Sequence, residues 1–239
     1  MRYLDLTLPT AAENLALDEA LLEQAESAER PREVLRVWES IAPMVVVGRS
    51  SRIGDEVRLD VCRELDIAVL RRVSGGATIV TGPGCLMYAL VLCRSTRPEL
   101  RTVERIHRSV LNTLAEALEP LVPGVRCRGI SDLAIGDLKF SGNSLRIRRR
   151  HLLYHGTLLY DFPLELIGRC LAMPPRQPDY RDHRAHDQFV TNLPLSSSAI
   201  RRALTTAFNA TTALDDWPQE LTARLTADKY TRREWNEQL

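Results

Sequence analysis

Residues 137–144, DLKFSGNS, contain one of only two lysines in a chain with 32 lysine and arginine residues. A lysine kept among so many arginines is a candidate for chemistry that a guanidinium performs poorly. A compact ammonium can approach one oxygen atom or give up a proton, whereas the planar guanidinium suits carboxylates and phosphates. Retention by chance is the alternative explanation. We take Lys139 as the first candidate catalytic residue.

The residues around this lysine predict a β-hairpin that brings a carboxylate beside it. Residues 131–136 and 138–148 are predicted strands joined by a glycine-containing turn. This turn would place Asp132 near Lys139, where a carboxylate could hold a divalent cation while the ammonium meets a phosphate or acyl oxygen. A carboxylate that only bonds nearby backbone is the alternative. The floor of such a site would include Gly142 and Asn143.

The pattern along the rest of the chain predicts an α+β fold. Predicted helices are 12–27, 55–65, 102–118, 162–171, 197–212 and 217–228. Predicted strands are 34–38, 44–48, 67–73, 85–92, 131–136, 138–148 and 152–160. Since the strands do not alternate strictly with helices, we expect a mixed, largely antiparallel sheet with flanking helices. The proline-rich, charged residues 174–194 predict a long loop of the kind that is often functional.

Composition limits the classes of function. With 239 residues and 44% hydrophobic content, we expect a single catalytic-type domain over residues 1–239. A net charge of +1 gives no reason to expect a nucleic-acid or membrane partner. The N-terminal residues do not resemble a signal peptide, and no apolar run is long enough to span a bilayer, so we expect a cytoplasmic protein.

The five cysteines and the loop histidines do not predict a metal centre. No CxxC or CxxH spacing is present, so the cysteines are predicted to be reduced and mostly buried. His183 and His186 share a loop, but the sequence offers them no third ligand, so zinc is not expected.

Two further motifs carry candidate site residues. Residues 71–78, RRVSGGAT, place two arginines before paired glycines, where backbone N–H groups can approach an anion. Residues 152–159, LLYHGTLL, place His155 and Gly156 within an apolar strand, and a glycine there often marks close approach of a ligand. Taken singly, each motif also fits a structural explanation, a tight turn or a buried core histidine.

The order of these motifs resembles the biotin/lipoate A/B protein ligase family. The resemblance is closest to the catalytic domain of lipoate–protein ligase A and to the related octanoyltransferases. It covers nearly the whole chain, through RRVSGG, DL…KFSGN and HGTLL. Further similar stretches are 14–22, 45–51, 68–76 and 229–236. The resemblance implies a fold akin to class II aminoacyl-tRNA synthetase and biotin ligase catalytic domains.

The resemblance also implies an activity and a set of site residues. The activity would be ATP-dependent attachment of lipoate to a lysine of a lipoyl-carrier protein, with ATP and Mg²⁺ as cofactors. Lys139 would contact the acyl carbonyl and the α-phosphate of an acyl-adenylate. The implied substrate-binding residues are Arg71, Arg72, Ser74, Gly75, Gly76, Ala77, Gly142, Asn143, His155 and Gly156. The implied nucleotide-binding residues are Thr78, Thr81 and Asp132, with Asp132 also as a metal ligand.

Departures from the family pattern keep other functions open. Ala77, Thr81 and Ser131 replace the glycine, histidine and asparagine of the pattern. The alternatives are an octanoyltransferase that forms an acyl-enzyme on Cys127 or Cys170, and a non-catalytic lipoate-binding protein. The acyl group could be lipoate or octanoate.

The same resemblance sets expectations for partners. We expect no C-terminal accessory domain in this chain, and a separate accessory chain could supply it. The acceptor would be a small lipoyl-carrier domain. A basic strip could steer an acidic carrier of this kind, although a merely solvated strand face is the alternative. The strip consists of Arg146, Arg148, Arg149 and Arg150. The 174–194 loop would cover the acyl pocket or the adenylate.

Overall fold

The computed structural model describes residues 1–238, so the predicted domain end at Leu239 lies outside the described residues. The strands are β1 Arg2–Asp5, β2 Val34–Glu39, β3 Met44–Val47, β4 Ala68–Arg71, β5 Ile79–Thr81, β6 Cys85–Cys93, β7 Val125–Arg128, β8 Asp132–Ile135, β9 Leu138–Ile147, β10 His151–Leu159 and β11 Thr212–Ala213. The helices are α1 Ala11–Ser27, α2 Ile53–Glu56, α3 Leu59–Glu64, α4 Val103–Leu118, α5 Glu165–Cys170, α6 His186–Phe189, α7 Ser197–Ala207, α8 Gln219–Leu225 and α9 Arg233–Asn236.

The main sheet has eight strands in the order β11-β1-β2-β6-β10-β9-β8-β7. Strand β1 runs parallel to its two neighbours, and every other pairing in this sheet is antiparallel. A second sheet of three strands has the order β4-β3-β5. The predicted mixed, largely antiparallel α+β fold is therefore confirmed.

The centre of the main sheet is covered on both faces. All nine residues of β6 and all nine of β10 are buried, which explains why these strands are apolar with little alternation. Helices α4 and α7 pack together over one face, and α1 crosses the other. Helix α1 begins at a capping box in which Thr10 and Glu13 satisfy each other's backbone N–H groups.

The three-stranded sheet leads the chain into the glycine-containing segment. Strand β4 pairs in parallel with β3, and β5 pairs antiparallel on its other side. Residues 72–78 connect β4 to β5, so the RRVSGGAT motif begins where β4 ends and closes a turn onto β5. Helix α5 and the start of α1 contribute to the apolar core beneath this small sheet.

Several elements differ from the predicted ones. The predicted helix 55–65 is two short helices, because Val57 is extended between them and forms a β-bridge with Leu171. The predicted helix 197–212 ends at Ala207. Within the predicted loop 174–194, Asp179–Arg181 form a 3₁₀ helix and α6 follows it. The short strands β1, β5, β7 and β11 were not predicted. Within residues 1–238, no helix has the length and apolarity needed to cross a membrane.

Candidate functional site

A β-bulge places Lys139 and Asp132 on the same face of the main sheet. Asp132 pairs with Gly142 and Leu133 with Ser141, but Ala134 pairs with Lys139, so Phe140 is an extra residue on β9. One inserted residue turns the following side chains to the opposite face. The lysine therefore points to the side of the sheet on which Asp132 lies.

The ammonium of Lys139 is held over Gly142 by the carboxylate of Asp132. The Nζ atom lies 2.8 Å from Asp132 Oδ1, and the Tyr180 hydroxyl donates to Asp132 Oδ2 at 2.8 Å. A Cβ atom added at Gly142 would lie 3.0 Å from the lysine Nζ. Gly142 therefore leaves the space in which the ammonium sits.

We call residues 74–77 the glycine turn. The carbonyl groups of this turn accept hydrogen bonds from the protein interior. Three consecutive carbonyl oxygens, those of residues 74–76, accept hydrogen bonds from two segments, the residues after β3 and strand β9. These bonds are Arg49 N to Ser74 O at 2.8 Å, Ser144 Oγ to Gly75 O at 2.7 Å and Ser51 Oγ to Gly76 O at 3.2 Å. The residue after β3 approaches the turn so closely that a Cβ at Gly48 would lie 1.8 Å from Gly76 O.

The N–H groups of the same peptides consequently point away from the protein. In a planar trans peptide the N–H lies opposite the C=O, so the N–H groups of Gly75, Gly76 and Ala77 face outward. Within the described part of the chain these three groups donate to no acceptor, and Gly76 and Ala77 are exposed. Gly76 has a φ of 85°, which a residue with a side chain rarely adopts. The turn can therefore offer consecutive donors to an anion.

A buried polar chain supports the turn from below. Arg72 Nε donates to Ser74 Oγ at 3.1 Å, and Ser74 Oγ lies 2.5 Å from His155 Nε2. His155 Nδ1 lies 3.3 Å from Asp18 Oδ2, and Arg36 donates to the other oxygen of Asp18 at 2.6 Å. When the His155 ring donates from Nδ1 to Asp18 and accepts at Nε2 from Ser74, every residue of this chain has its hydrogen-bonding groups paired.

Burial lowers the pKa of Arg72 to about 10, and the nearby carboxylate of Glu56 opposes this shift. The guanidinium is held by backbone carbonyls of Val46 and Ala77, each at 3.0 Å, and by the carbonyl of Gly75. Arg72 therefore supports the turn and does not line the cavity described next.

A cavity of about 140 Å³ lies beside the turn and Lys139. An engineered apolar cavity of about 150 Å³ can bind benzene, so this volume suits part of a small apolar ligand. Its apolar wall includes Val80, Leu159, Ile167 and Leu171, and Lys139 lies in its polar wall. Residues of the 174–194 segment, including Pro178 and Phe189, close another side.

The cavity brings together four of the predicted site residues. These residues are Ala77, Thr78, Lys139 and Gly142. Asp132 is joined to them through its ion pair with Lys139. The predicted residues that do not line the cavity are Arg71, Arg72, Ser74, Gly75, Gly76, Thr81, Asn143, His155 and Gly156.

Most of the predicted site residues that do not line the cavity form hydrogen bonds with other parts of the protein. Arg71 is fully buried and donates to backbone carbonyls that include those of Gly48 and Ser51, at 2.7 and 2.8 Å. Thr81 Oγ1 donates to Met87 Sδ at 3.3 Å. Asn143 accepts the Tyr88 hydroxyl and donates to Ser131 O and Ser141 Oγ. Gly156 leaves room for Asn143, because a Cβ there would lie 1.9 Å from Asn143 Oδ1.

The sequence interpretation missed several residues of the site, among them Glu56, Thr157, Tyr180 and Asp18. Glu56 and Thr157 line the cavity, Tyr180 bonds to Asp132, and Asp18 bonds to His155. The position of Tyr180 in the 174–194 segment was a usable signal, and so was Thr157 beside the HG pair. No local signal marked Glu56 or Asp18, since their partners are distant in sequence.

Neither candidate nucleophilic cysteine lines the cavity. Cys127 pairs with Leu133 and bonds to Asn112 of α4, whereas Lys139 and Asp132 lie on the other face of the sheet. Cys170 is fully buried. Burial raises the pKa of both thiols, which disfavours the thiolate. Among residues 1–238, no group of three or more His, Cys, Asp or Glu side chains could hold a metal ion.

Residues 10–208 match the lipoyl protein ligase A/B catalytic domain family. The match covers most of the chain and includes the glycine turn, the bulged strand and the HG strand, so the chain belongs to this family. Among solved structures, a bi-partite lipoate protein ligase from Thermoplasma acidophilum, described with its E2 lipoyl domain, has a TM-score of 0.84 at 22% identity, covering 99% of this chain and 95% of that one. A lipoate-protein ligase A bound with ATP has a TM-score of 0.83 at 22% identity, covering 99% and 98%.

Two relatives carry the names of the two candidate activities, lipoate–protein ligase and octanoyltransferase. A protein of Aeropyrum pernix, provisionally named lipoate-protein ligase A, is 33% identical over 189 residues, covering 79% of this chain and 66% of its own length. The octanoyltransferase LipM of Symbiobacterium thermophilum is 27% identical over 268 residues, covering 98% and 97%. Two lipoate-protein ligase A relatives from Mycoplasma species are matched over only 45% of their length. The chain thus spans about half to two thirds of these three ligase relatives.

Proposed function

We propose that this protein attaches lipoate to a lysine of a lipoyl-carrier domain in an ATP-dependent reaction through an acyl-adenylate. The observation that carries the proposal is the position of the Lys139 ammonium, which lies beside an apolar cavity and near a turn with outward N–H groups. An apolar tail and an anionic head are the two parts of a fatty acid-like substrate. Family membership supports the same assignment.

The first step would join the acid to the nucleotide. A carboxylate oxygen of lipoate attacks the α-phosphorus of ATP, a new P–O bond forms, and pyrophosphate leaves. Negative charge on the phosphoryl and carbonyl oxygens would be stabilised by Lys139 and by the N–H groups of Gly75, Gly76 and Ala77. Fixed donors of this kind are effective because they need no reorientation during the reaction.

The second step would transfer the acyl group. The neutral amine of the carrier lysine attacks the carbonyl carbon, AMP leaves with the bonding electrons, and the amine releases a proton to solvent. Lys139 would again stabilise the oxygen that gains charge. Holding both reactants beside the same ammonium supplies much of the rate increase.

The donor set of the site fits magnesium as part of the nucleotide substrate. Asp132 is the carboxylate closest to Lys139, and it already accepts from Lys139 and Tyr180. Magnesium usually binds one or two carboxylates together with substrate phosphates. Asp132 would therefore supply one ligand to magnesium that arrives with ATP, after exchange of at least one present partner.

The reaction is tested by its products. Purified protein, lipoate, MgATP and an unmodified lipoyl domain should give pyrophosphate and a lipoyl mass increase on the domain. Omission of the domain should still allow pyrophosphate release on formation of the adenylate. Absence of pyrophosphate with lipoate and MgATP would contradict the proposal.

An octanoyltransferase is the second candidate, favoured by the LipM relative that matches over nearly its whole length. Its signature would be a hydroxylamine-labile acyl-cysteine formed from octanoyl carrier protein. Neither Cys127 nor Cys170 lines the cavity, and burial disfavours the thiolate of both, which supports the ligase. Cys127→Ser and Cys170→Ser variants should therefore keep ligase activity. Lipoate binding with neither activity would instead indicate a non-catalytic binding protein.

A further inference from the structure

The Tyr180 hydroxyl is bonded to the same carboxylate that holds the ammonium of Lys139. Tyr180 donates to Asp132 Oδ2 at 2.8 Å, and Asp132 Oδ1 lies 2.8 Å from Lys139 Nζ. The Asp132 side chain is 8% exposed, so water reaches little of it. Each oxygen of this carboxylate therefore faces one of the two neighbours.

The ring of Tyr180 is itself fixed by its surroundings. The guanidinium of Arg128 lies 4.8 Å from the centroid of the ring, and the Phe189 ring lies 5.1 Å away. Arg128 is held in turn by an ion pair with Asp137 at 2.6 Å. Because the ring is packed from β7 and from α6, the hydroxyl approaches Asp132 from a fixed direction.

We propose that Tyr180 is a positioning residue, whose hydroxyl fixes the rotation of the Asp132 carboxylate so that the carboxylate holds the Lys139 ammonium at the cavity. Tyr180 does not line the cavity, so it would act only through Asp132. Two kinds of freedom make such a restraint necessary. The terminal torsion of an aspartate is broad, and a lysine carries its charge on a flexible four-carbon stem.

The catalytic consequence rests on the proposed function. In that reaction Lys139 turns to the substrate oxygens, so its bond is the one that Asp132 exchanges for magnesium. The bond from Tyr180 then remains and keeps the carboxylate oriented. Tyr180 thus prepares Asp132 first for the ammonium and then for the nucleotide substrate.

The restraint can be measured directly, because the chain has only two lysines. Protein labelled with ¹³C at lysine Cε gives one NMR signal from each, and Lys229→Arg identifies the signal of Lys139. Tyr180→Phe removes the hydroxyl and keeps the ring. In this variant the order parameter of the Lys139 Cε group should fall by about a third, the difference between a rigid and a flexible group. The Lys229 signal should not change, since its bonds to Glu19 remain.

Kinetics measure the consequence for the reaction. In Tyr180→Phe, kcat for pyrophosphate release should fall about tenfold, because small misplacements of a positioned group slow a reaction by such factors. The Kd for lipoate, measured by calorimetry, should stay at its wild-type value because the lining of the cavity is intact.

The matched control is Tyr160→Phe. The Tyr160 hydroxyl also donates to a carboxylate, that of Glu39, at 2.8 Å, but Tyr160 lies outside the cavity lining. This variant should keep the wild-type kcat and the wild-type Lys139 signal. A melting curve of each variant checks its folding.

Three results would overturn the inference while the proposed function stands. These are an equally rigid Lys139 in wild type and Tyr180→Phe, a wild-type kcat in Tyr180→Phe, and a loss of lipoate affinity as large as the loss of activity. Should Tyr180→Phe fail to fold, a freely mobile Lys139 signal in the wild-type protein would still contradict the restraint. If the wild-type protein releases no pyrophosphate with lipoate and MgATP, the proposed function fails, and the NMR comparison still decides whether Tyr180 restrains Lys139.

Discussion

At the scale of single residues, Lys139 is distinguished by its surroundings more than by its charge. The bulge at Phe140 directs it toward Asp132, and Gly142 leaves the space for its ammonium. The other lysine, Lys229, bonds to Glu19 at 2.7 Å and lies 4.0 Å from the centroid of the Trp235 ring. Lys139 therefore lines the cavity, whereas Lys229 holds a C-terminal segment against α1.

Replacement of Lys139 by arginine should abolish most activity. The guanidinium is broader than the ammonium and would meet the backbone at Gly142, so it could not reach the same point. We expect kcat to fall by about 10²-fold or more, the usual cost of losing one transition-state donor. Pyrophosphate release and carrier modification measure this effect.

The matched control is Lys229→Arg, which should keep kcat within about threefold because the residue lies outside the cavity. Near-normal activity of Lys139→Arg would show that a broad cation fits and would remove the steric argument for lysine at this position.

At the scale of elements, the site depends on how strands are joined to one another. The glycine turn is bonded to the segment after β3, to β9 and, through His155, to β10 and α1. Because the turn is held by all of these elements, displacement of any one of them should move the outward N–H groups of the turn.

Interruption of the polar chain below the turn should lower activity although no member touches the cavity. His155→Gln and Ser74→Ala should each reduce kcat/KM for lipoate by about 10- to 100-fold, since small displacements of positioned groups have effects of this size. The double variant should lose less than the product of the two, because both changes break the same chain. Steady-state kinetics of all three variants measure the coupling.

The control for this cycle is His183→Gln, which alters an exposed histidine outside the cavity lining. It should behave like wild type. If the losses from His155→Gln and Ser74→Ala multiply exactly, the two residues act independently and the chain has no common role.

The end of β4 is tied to the C-terminal segment by Arg71. The Arg71 side chain donates to Asn236 O at 3.3 Å and to the carbonyl of Gln238. The Trp235 indole Nε1 donates to the carbonyl of Arg71 at 2.9 Å. Arg71→Lys should reduce the free energy of unfolding by about 3 kcal/mol, because several buried bonds to one charged group are lost. Urea denaturation provides the measurement.

The exposed Arg149 offers a matched change, and Arg149→Lys should alter the free energy of unfolding by less than about 0.5 kcal/mol. Equal stability of the two variants would mean that the buried bonds of Arg71 contribute little.

At the scale of the whole molecule, burial of histidines should make stability depend on pH. Burial lowers the pKa of His107, which lies 2.9 Å from the Tyr154 hydroxyl, and of His186. Below the unfolded pKa of about 6.5, the unfolded chain binds protons that the folded protein does not. Stability should therefore rise with pH across this range and fall as the solution becomes more acidic.

The prediction is checked by urea denaturation at pH 7.5, 6.5 and 5.5. His107→Gln should show a smaller loss of stability between pH 7.5 and 5.5 than wild type. Equal pH dependence of the two proteins would exclude His107 as a source of the pH-dependent stability. The carboxylates of Glu26 and Glu33, whose pKa values are lowered, act in the same direction but at lower pH.

Sequence patterns predicted the elements whose signals are local and long. Helices α1 and α4 and strands β6, β9 and β10 follow from apolar runs and periodicity. The bulge at Phe140 could not be predicted, because strand alternation specifies no inserted residue. Strand β1 and the edge strand β11 are too short to carry a pattern.

The structure gathers part of the predicted site around one cavity, lined by Lys139, Gly142, Ala77 and Thr78. Arg71, Asn143 and His155 belong to buried networks whose partners are up to 167 residues away in sequence. Sequence neighbours give no information on such partners, so these hydrogen-bond networks could not be predicted from the sequence.

The bonds between Arg71 and Asn236 also bear on the order of events during synthesis. The two residues are 165 positions apart, so at about 5–20 residues per second the first waits on the order of ten seconds for the second. Until then, the end of β4 and the adjoining turn lack part of their support. A nascent chain should therefore complete its ligand site only after Asn236 has been synthesised, so that shorter nascent chains hold acyl groups or nucleotide less well.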